Sequence, residues 1–319
     1  GGRMQEASPA KDTVTGHWEI AGLVSRKPFA LYPNGFPLEI MAPFEKESGF
    51  STLYNRAASG TVILEQLGEE HMATGRLIVY TSADSVFQIA AHEEIVPLPE
   101  LYRACEVARK ILDPFHVARV IARPFVGRPG SFDRTYNRKD FCMEPPSATL
   151  LDRLTAAGIP VTGVGKIEDI FAGRGVTHSV HTEGNRDGFD KTLDLVKSDR
   201  QGLIFVNLVD YDMVFGHRRN AQGYARALEE GDEFVGRLLP LLTPDDVLII
   251  TADHGCDPSH AAHTDHTREF VPLLVYAPGL PMGRDLGVRN TFADVAATTM
   301  ELFGLRPDLA GVSVLRGLG

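Results

Sequence analysis

The sequence predicts an α/β protein in which helices cover both faces of a parallel sheet. Short apolar, β-branched runs alternate with helical patterns along the carboxyl-terminal half of the chain. These runs are almost continuously apolar, which is typical of strands buried on both faces. Prolines and glycines punctuate a middle segment of different texture. We therefore expect a core formed by residues 1–27 and 146–319, and an inserted domain at residues 28–145.

The predicted elements follow from length, composition and periodicity. Runs typical of buried strands lie at 77–84, 116–122, 160–164, 202–209, 246–252 and 271–276. Segments with helical periodicity lie at 98–112, 146–157, 188–198, 220–242 and 291–303. The last helix is expected to start at an N-cap formed by Asn290 or Thr291.

Composition excludes several classes of function. The 319 residues include 32 basic and 42 acidic side chains, a net charge of −10, and no basic stripe that would favour a nucleic-acid partner. No stretch approaches the roughly 20 apolar residues that span a bilayer, so we expect no membrane role. The cysteines Cys105, Cys142 and Cys256 fit neither a disulfide framework nor a paired-cysteine zinc site. They indicate a reducing cytoplasm.

The densest group of potential metal ligands is T-A-D-H-G-C-D-P-S-H-A-A-H-T-D-H-T-R-E at 251–269. It follows an apolar run directly, so Asp253 and His254 are expected at the carboxyl end of a strand, where open α/β sheets bind ligands. Carboxylate and imidazole together suit zinc or manganese. The alternative is a polar loop without function, but such loops seldom concentrate histidine and aspartate so densely.

A second group lies at the end of the predicted strand 202–209 and just after it, and consists of Asn207, Asp210, Asp212 and His217. Taken alone, these residues are typical of a turn or a surface. Beside the first group they predict a two-metal site, because two strand ends would each supply an aspartate and a histidine to clamp a moving phosphoryl group.

The third group is K-D-T-V-T-G-H-W-E at 11–19. One interpretation is structural, with Thr13 or Thr15 capping a helix and Glu19 in its first turn. The functional interpretation makes one threonine hydroxyl a nucleophile, activated by a metal ion and by free backbone N–H groups at the helix start. The residues alone do not choose between the two threonines.

A fourth group consists of cations in or beside the inserted segment: Arg123, Arg128, Arg134, Arg138 and Lys166. The planar guanidinium matches phosphate, so arginines next to proline and glycine turns could form an anion pocket. Any single one of these residues is more typical of a solvated loop.

The segments K-D-T-V-T-G-H-W-E-I, G-E-E-H-M-A-T-G, Y-T-S-A-D-S-V-F-Q-I-A-A-H-E-E, A-R-P-F-V-G, N-L-V-D-Y-D-M-V-F-G-H-R-R and T-A-D-H-G-C-D-P occur in this order. With them the chain resembles the phosphopentomutases of the alkaline phosphatase superfamily along essentially its whole length. The resemblance implies an alkaline-phosphatase-like core sheet and an inserted α/β cap. It also implies transfer of phosphate between positions 1 and 5 of ribose or 2-deoxyribose.

The resemblance implies roles for individual residues. Thr13 matches the threonine that carries the phosphoryl group, after phosphorylation by a sugar bisphosphate activator. Two divalent ions, expected to be Mn²⁺, would be held by Asp212, His217 and His266 and by Asp253 and His254. The sugar phosphate would be held by Asp84, Arg123, Arg138 and Lys166. His263 competes with His266, because the 254–266 loop is one residue longer than the family spacing, although D-H-T-R-E at 265–269 favours His266.

Family members begin with an additional strand whose aspartate binds the metals, and no such segment precedes Gly1. We therefore expect weaker binding of the ion held by Asp253 and His254. Two alternatives stay open at this stage. One is a metal-dependent phosphate-ester hydrolase of the same superfamily, and the other is a catalytically impaired fragment that binds metal or phosphate.

Overall fold

The computed structural model describes residues 1–82, 84–198, 201–262, 265–279 and 283–315. The chain divides into two compact units, of which the first joins Gly1–Pro28 to Glu144–Gly319 and the second is Phe29–Met143. The first unit opens with strand β1 (Gly2–Met4) and helix α1 (Thr13–Ile20). The role of the second unit as a cap stays a prediction.

The second unit is built on a sheet with strand order β2-β3-β4-β5-β6, and β7 also pairs with β5. Its elements are α2 (Leu38–Ser48), β2 (Thr52–Ala57), α3 (Gly60–Thr74), β3 (Leu77–Thr81), β4 (Val86–His92), α4 (Leu98–Leu112), β5 (Arg119–Arg128), β6 (Ser131–Arg134) and β7 (Lys139–Cys142). β2 is parallel to β3, and β4 is parallel to β5, but β3 and β4 are antiparallel.

Each face of this sheet has its own core, because successive side chains of a strand point to opposite faces. On one face, residues such as Val79 and Phe87 pack against Phe44 of α2 and Leu101 of α4. On the other face, Ile63 and Leu64 of α3 pack against Ile78, Tyr80 and Phe125. Helices therefore cover both faces of the sheet in the second unit.

The rest of the first unit contains two sheets, with strand orders β10-β8-β9 and β11-β12-β1-β13. Its elements are α5 (Leu150–Ala156), β8 (Val161–Val164), α6 (Ile167–Ile170), β9 (His178–Val180), α7 (Asn185–Lys197), β10 (Leu203–Val206), α8 (Ala221–Leu238), β11 (Leu248–Ile250), β12 (Val271–Tyr276), β13 (Gly287–Arg289) and α9 (Asp294–Leu302). The predicted α/β class is confirmed.

Helix α1 lies inside the first unit, and its residues from Val14 to Ile20 are buried. Its Glu19 carboxylate is fully buried and accepts hydrogen bonds from both the amide and the hydroxyl of Ser8, and from the Ala7 amide. It also accepts from the Thr291 hydroxyl and the Phe292 amide. A buried carboxylate is tolerated because these donors replace its hydration. Glu19 thereby joins α1 to two other segments of the chain, residues 7–8 and residues 291–292.

Two sequence expectations were wrong in detail. The run 271–276 is a strand, but it pairs antiparallel with both β11 and β1, because apolar composition reports burial and not strand direction. The last helix has Ala293 as its N-cap residue, and neither Asn290 nor Thr291 caps it. The Thr291 hydroxyl donates instead to Glu19.

No helix among the described residues is long and apolar enough to cross a membrane.

Candidate metal centre

Asp212, His217 and His266 come together at one point of the first unit. Asp212 lies in a π-helical turn, Tyr211–Gly216, that follows β10, and the His217 amide donates to the Asp212 carbonyl. Nε2 of His217 lies 3.1 Å from Oδ2 of Asp212, and Nε2 of His266 lies 3.3 Å from Oδ1. Candidate ligand atoms of all three residues lie within 4.8 Å of one another. Two imidazoles and a carboxylate are a suitable donor set for manganese or zinc.

A backbone bond sets the orientation of the His266 ring. Its Nδ1 lies 2.6 Å from the carbonyl oxygen of Lys11, so Nδ1 carries the hydrogen and the lone pair is on Nε2. That Nε2 atom is buried and has no hydrogen-bond partner in the described part of the chain. A lone pair that faces the Asp212 carboxylate needs a cation between them. The residues present therefore fit a bound metal ion.

The charges of this group are strongly coupled. Burial by itself would raise the pKa of Asp212, but His217, His266 and His254 hold it far below its usual range. Burial would lower the pKa of His266, but the Asp212 carboxylate raises it above its ordinary value. Both shifts come from the attraction between the Asp212 carboxylate and positive charge on the imidazoles around it. The same carboxylate would attract a metal ion.

Asp253 and His254 follow β11 and lie beside the first group. Oδ2 of Asp253 lies 3.6 Å from Nε2 of His254 and 3.1 Å from Nδ1 of His17. The His254 ring stacks on the His266 ring, with 3.6 Å between the ring centroids. Burial by itself would raise the pKa of Asp253, but the opposing effect of His254 and His17 is larger and holds this pKa below its usual range. The two ligand groups predicted from the sequence are therefore neighbours in the structure.

The start of α1 reaches the same place because Gly16 has no side chain. A Cβ atom at Gly16 would lie 1.8 Å from the carbonyl oxygen of Asp253, far inside any permitted contact. The backbone of α1 thus packs directly on the residue that follows β11. Thr13, the first residue of α1, is one helical turn from His17, whose Nδ1 lies 2.8 Å from the Thr13 carbonyl oxygen.

The two threonines of α1 have different environments. Asp12 is the N-cap residue, and its carboxylate accepts hydrogen bonds from the amide and the hydroxyl of Thr15, at 3.0 and 2.7 Å. Thr15 is fully buried, whereas Thr13 is half-buried. Within the described ranges the Thr13 hydroxyl has no hydrogen-bond partner. Thr13 therefore presents the free hydroxyl. The expectation that Thr13 or Thr15 caps the helix was wrong, because Asp12 is the cap and Thr15 donates to it.

The remaining residues of the second sequence group, Asn207 and Asp210, contact residues outside that group. Asp210 and Asn185 bond reciprocally through side chain and amide, which holds the start of α7. Asn207 places its Nδ2 atom 3.4 Å from Nε2 of His17. Lys166 places its Nζ atom 3.4 Å from Sδ of Met213, within the first unit. His263 lies outside the described residues, so its competition with His266 is left open.

Asp84, Arg123 and Arg138 belong to the second unit. Arg138 donates two hydrogen bonds to Asp140, at 2.7 and 2.8 Å. Arg123 bonds the Gln88 side chain at 3.0 Å. Burial and the nearby Arg138 lower the pKa of Arg123 to about 10, so the guanidinium is still charged at neutral pH.

Sequence reasoning missed the residues that fix the segment before Thr13. Arg268 donates to the carbonyl oxygens of Glu6, Ser8, Pro9 and Ala10. Arg268 lies two residues after His266, in the D-H-T-R-E motif, but its partners are more than 250 residues away. Only the presence of an arginine within a ligand-rich loop could have drawn attention to it.

Lys11 makes a second connection between the same two segments. Its ammonium donates to the His266 carbonyl oxygen at 2.6 Å and pairs with Asp265 at 2.8 Å. With the Lys11 carbonyl on His266 Nδ1, the segment that leads into α1 is bonded directly to the segment that carries a predicted metal ligand.

Comparison with known proteins decides the family. Residues 60–307 match the family model of the metalloenzyme superfamily. A phosphopentomutase from Caldanaerobacter subterraneus subsp. tengcongensis is 58% identical over 318 residues, which are 99% of this chain and 81% of that protein. A phosphopentomutase from Kosmotoga olearia is 56% identical over 98% of this chain and 80% of that protein.

This chain belongs to the phosphopentomutase family. Phosphopentomutases are enzymes of the isomerase class, which confirms the predicted enzyme type. The PH0037 protein from Pyrococcus horikoshii shares the fold, with a TM-score of 0.52 at 17% identity over 97% of this chain and 88% of that chain. Membership of a metalloenzyme superfamily implies binding of divalent metal.

Asp212→Asn is expected to weaken Mn²⁺ binding by more than about 100-fold, because loss of a ligand carboxylate exceeds the 10–100-fold effect of residues behind the ligands. Equilibrium dialysis of the full chain measures the affinity. Asp257→Asn is the matched control, since Asp257 is an exposed carboxylate of the 251–269 loop that bonds Ser259. Equal affinity in wild type and Asp212→Asn would contradict the ligand assignment.

Gly16→Ala is expected to lower the free energy of unfolding by at least about 1–3 kcal/mol, since the added methyl group would overlap the Asp253 carbonyl oxygen. Denaturant unfolding measures this change. Gly236→Ala is the control, because Gly236 lies in α8 with open space around it and alanine is the better helix former. A Gly16→Ala protein as stable as wild type would show that α1 does not need this close approach.

Glu6→Gln is expected to raise the melting temperature at pH 9 and to change it little below pH 4. Burial raises the pKa of Glu6 from 4.5 to about 8. Between these values the unfolded chain releases a proton that the folded chain keeps, so wild-type stability falls as pH rises, whereas glutamine does not titrate. Thermal melts across this range test the effect, with exposed Glu70→Gln as control. A pH-independent difference would contradict it.

Proposed function

We propose that this chain interconverts the 1-phosphates and 5-phosphates of ribose or 2-deoxyribose, with Thr13 as the phosphoryl carrier. The observation that carries the proposal is the free Thr13 hydroxyl at the start of a buried helix, packed on Asp253 beside the group of histidines. The names of the relatives, at 55–58% identity, supply the substrate class.

The proposed cofactors are two divalent ions. Asp212, His217 and His266 would hold one, and Asp253 and His254, next to Thr13, would hold the other. Mn²⁺ is our choice because mixed imidazole and carboxylate donors suit it. When bound, the ions would offset negative charge on the phosphoryl oxygens and favour deprotonation of the attacking hydroxyl.

The residues of α1 supply the rest of the carrier site. The Thr15 amide donates a hydrogen bond to the Asp12 carboxylate. The Thr13 and Val14 amides donate no hydrogen bond within the described structure. Free amides at a helix start bind phosphoryl oxygens, helped by the helix dipole. His17 bonds the Asp253 carboxylate and thereby orients it. A charged phosphothreonine would therefore be stabilised where it forms.

The proposed cycle has three transfers. A sugar bisphosphate first phosphorylates Thr13. The phosphothreonine then gives its phosphoryl group to the free hydroxyl of a pentose monophosphate, and the Thr13 oxygen keeps the bonding electrons while that hydroxyl loses its proton. Finally, Thr13 takes the phosphoryl group from the other end of the resulting bisphosphate. Asp84, Arg123, Arg138 and Lys166 are proposed to hold the sugar phosphate. The guanidinium and ammonium groups would neutralise its phosphate, and the Asp84 carboxylate would accept hydrogen bonds from the sugar hydroxyls.

The proposed location is the cytoplasm. Cys105, Cys142 and Cys256 form no disulfide bond, and Cys105 and Cys142 are buried. Cysteines that form no disulfide bond are typical of proteins that work in a reducing compartment.

Thr13→Val is expected to abolish pentose phosphate interconversion and to leave folding nearly intact, because valine keeps the shape and removes the hydroxyl. Thr15→Val removes only a hydrogen bond within the cap and is expected to retain turnover. The measurement is conversion of ribose 1-phosphate to ribose 5-phosphate, with thermal melts for both variants. Equal loss of turnover in both variants, or phosphate mapped to Thr15 by mass spectrometry, would contradict the assignment.

Free phosphate measured in the same reactions separates the alternatives. A mutase converts ribose 1-phosphate without net release of phosphate, whereas a phosphate-ester hydrolase releases one phosphate for each molecule consumed. Binding of metal without conversion or release would identify a fragment that only binds its ligands.

A further inference from the structure

The π-helical turn Tyr211–Gly216 brings two predicted metal ligands together. Asp212 and His217 are five residues apart, a spacing that in an α-helix would place their side chains about 140° apart around the axis. In the wider turn the His217 amide bonds the Asp212 carbonyl oxygen at 3.0 Å. The His217 Nε2 atom consequently lies 3.1 Å from Oδ2 of Asp212. Contacts that stabilise this turn therefore also stabilise the arrangement of the two ligands.

The turn is held from outside by helix α8. π-helical turns are rare and are frequent at functional sites, and this is the only one in the part of the chain that the structure describes. The Tyr211 ring lies 5.9 Å from the ring of Tyr224 in α8, measured between centroids. The Tyr211 hydroxyl donates to the carbonyl oxygen of Ala227, also in α8, at 3.1 Å. The residue directly before Asp212 is therefore bonded to α8.

Glycine at position 231 of α8 makes room for this hydroxyl. A Cβ atom at Gly231 would lie 2.4 Å from the Tyr211 hydroxyl oxygen, but 3.7 Å from Cζ of the same ring. The first distance is a clash, and the second is an ordinary van der Waals contact. The hydroxyl therefore occupies the space that a side chain at residue 231 would fill.

A second glycine of α8 receives the other aromatic ring of the turn. A Cβ atom at Gly223 would lie 2.5 Å from Cδ1 of Phe215. Gly223, Ala227 and Gly231 follow one another at intervals of four residues, so they lie along one side of α8. The turn is thus held on this side of α8 at Phe215 and at Tyr211, and Asp212 lies between these two residues in the chain.

We propose that Tyr211 is a positioning residue of the candidate metal centre. Its hydroxyl, bonded to Ala227 in the space that Gly231 leaves, fixes the π-helical turn on α8. The fixed turn sets the separation of the ligand atoms of Asp212 and His217. Ligand atoms have to be held within about 0.5 Å of their working geometry, so a small shift of the turn is enough to weaken metal binding. The inference rests on the proposed role of Asp212 and His217 as ligands of one divalent ion.

The test measures Mn²⁺ binding to the full chain by electron paramagnetic resonance, which reports free Mn²⁺ and does not depend on turnover. Tyr211→Phe keeps the ring and removes the hydroxyl. It is expected to weaken Mn²⁺ binding about tenfold, the lower end of the effect of residues that support metal ligands. Wild-type affinity in Tyr211→Phe would overturn the proposal.

Gly231→Ala is expected to weaken Mn²⁺ binding similarly, because its methyl group displaces the Tyr211 hydroxyl. Alanine is the better helix former, so a less stable α8 would not explain the loss. The matched control is Gly236→Ala, in the same helix but with open space around it, and it is expected to bind Mn²⁺ like wild type. Equal affinity in Gly231→Ala and Gly236→Ala would overturn the role of the space at residue 231.

The double variant tests whether Gly231 acts through the hydroxyl. Without that hydroxyl, the nearest atom of the ring at residue 211 lies 3.7 Å from the added methyl group. Gly231→Ala is therefore expected to cause no further loss of Mn²⁺ affinity in the Tyr211→Phe background. Losses that add in the double variant would overturn the proposal, because independent effects add and effects that share one contact do not.

Phe189→Leu serves as the control for a merely structural effect. Phe189 of α7 stacks on Phe234 of α8 with 4.4 Å between the ring centroids, so its loss loosens α8 at a contact that does not involve the turn. Phe189→Leu is expected to lower the melting temperature and to keep wild-type affinity for Mn²⁺. Mn²⁺ binding as weak as that of Tyr211→Phe would overturn the proposal, because general destabilisation would then explain both variants.

Asp212→Asn, measured in the same way, separates this proposal from the proposed function. If Asp212→Asn loses Mn²⁺ and Tyr211→Phe does not, the positioning role fails and the ligand assignment stands. If Mn²⁺ binding responds as expected in all variants and wild type does not interconvert ribose 1-phosphate, the positioning role stands and the proposed function fails.

Discussion

The close approach of α1 to Asp253 is the constraint on which the candidate centre depends. It exists because Gly16 leaves no atoms between the helix backbone and the Asp253 carbonyl oxygen. The helix can lie this deep because Glu19, which would otherwise be an uncompensated buried charge, collects hydrogen bonds from segments on either side. Thr13 thereby lies at the start of a buried helix close to the end of β11, which is the kind of support that its proposed role requires.

Hydrogen bonds between segments that are distant in sequence position the predicted metal ligands. The Lys11 carbonyl oxygen selects the tautomer of His266, and Arg268 holds the carbonyl groups that precede Lys11. A shift of this segment would therefore move the start of α1 and rotate a ligand ring together. We therefore expect residues such as Arg268, which contact no predicted ligand atom, to influence metal binding.

The second unit carries positive charge that is only partly compensated. Its sheet buries apolar residues on both faces, yet one part of the α3 face carries arginines whose charge is not fully offset. Unpaired guanidiniums close to one another repel, and a stable fold tolerates them where an anion is to bind. The proposed role of Arg123 in holding the sugar phosphate follows from this surplus charge and stays a prediction.

The sequence by itself determined the α/β class, the family resemblance and the chemistry of two ligand-rich segments, and it located α4 at residues 98–112. These features are local, since periodicity and residue type after a strand can be read over a few positions. The free hydroxyl is also a local outcome, because Asp12 caps α1 and takes the hydroxyl of Thr15, three residues further along the chain. Tertiary structure decided the direction of β12, because β1 pairs with it from the other end of the chain, and the orientation of the His266 ring, because its Nδ1 faces the Lys11 carbonyl oxygen. Those two outcomes depend on hydrogen-bond partners that lie far away in sequence, and no local pattern encodes which distant group will take a given bond.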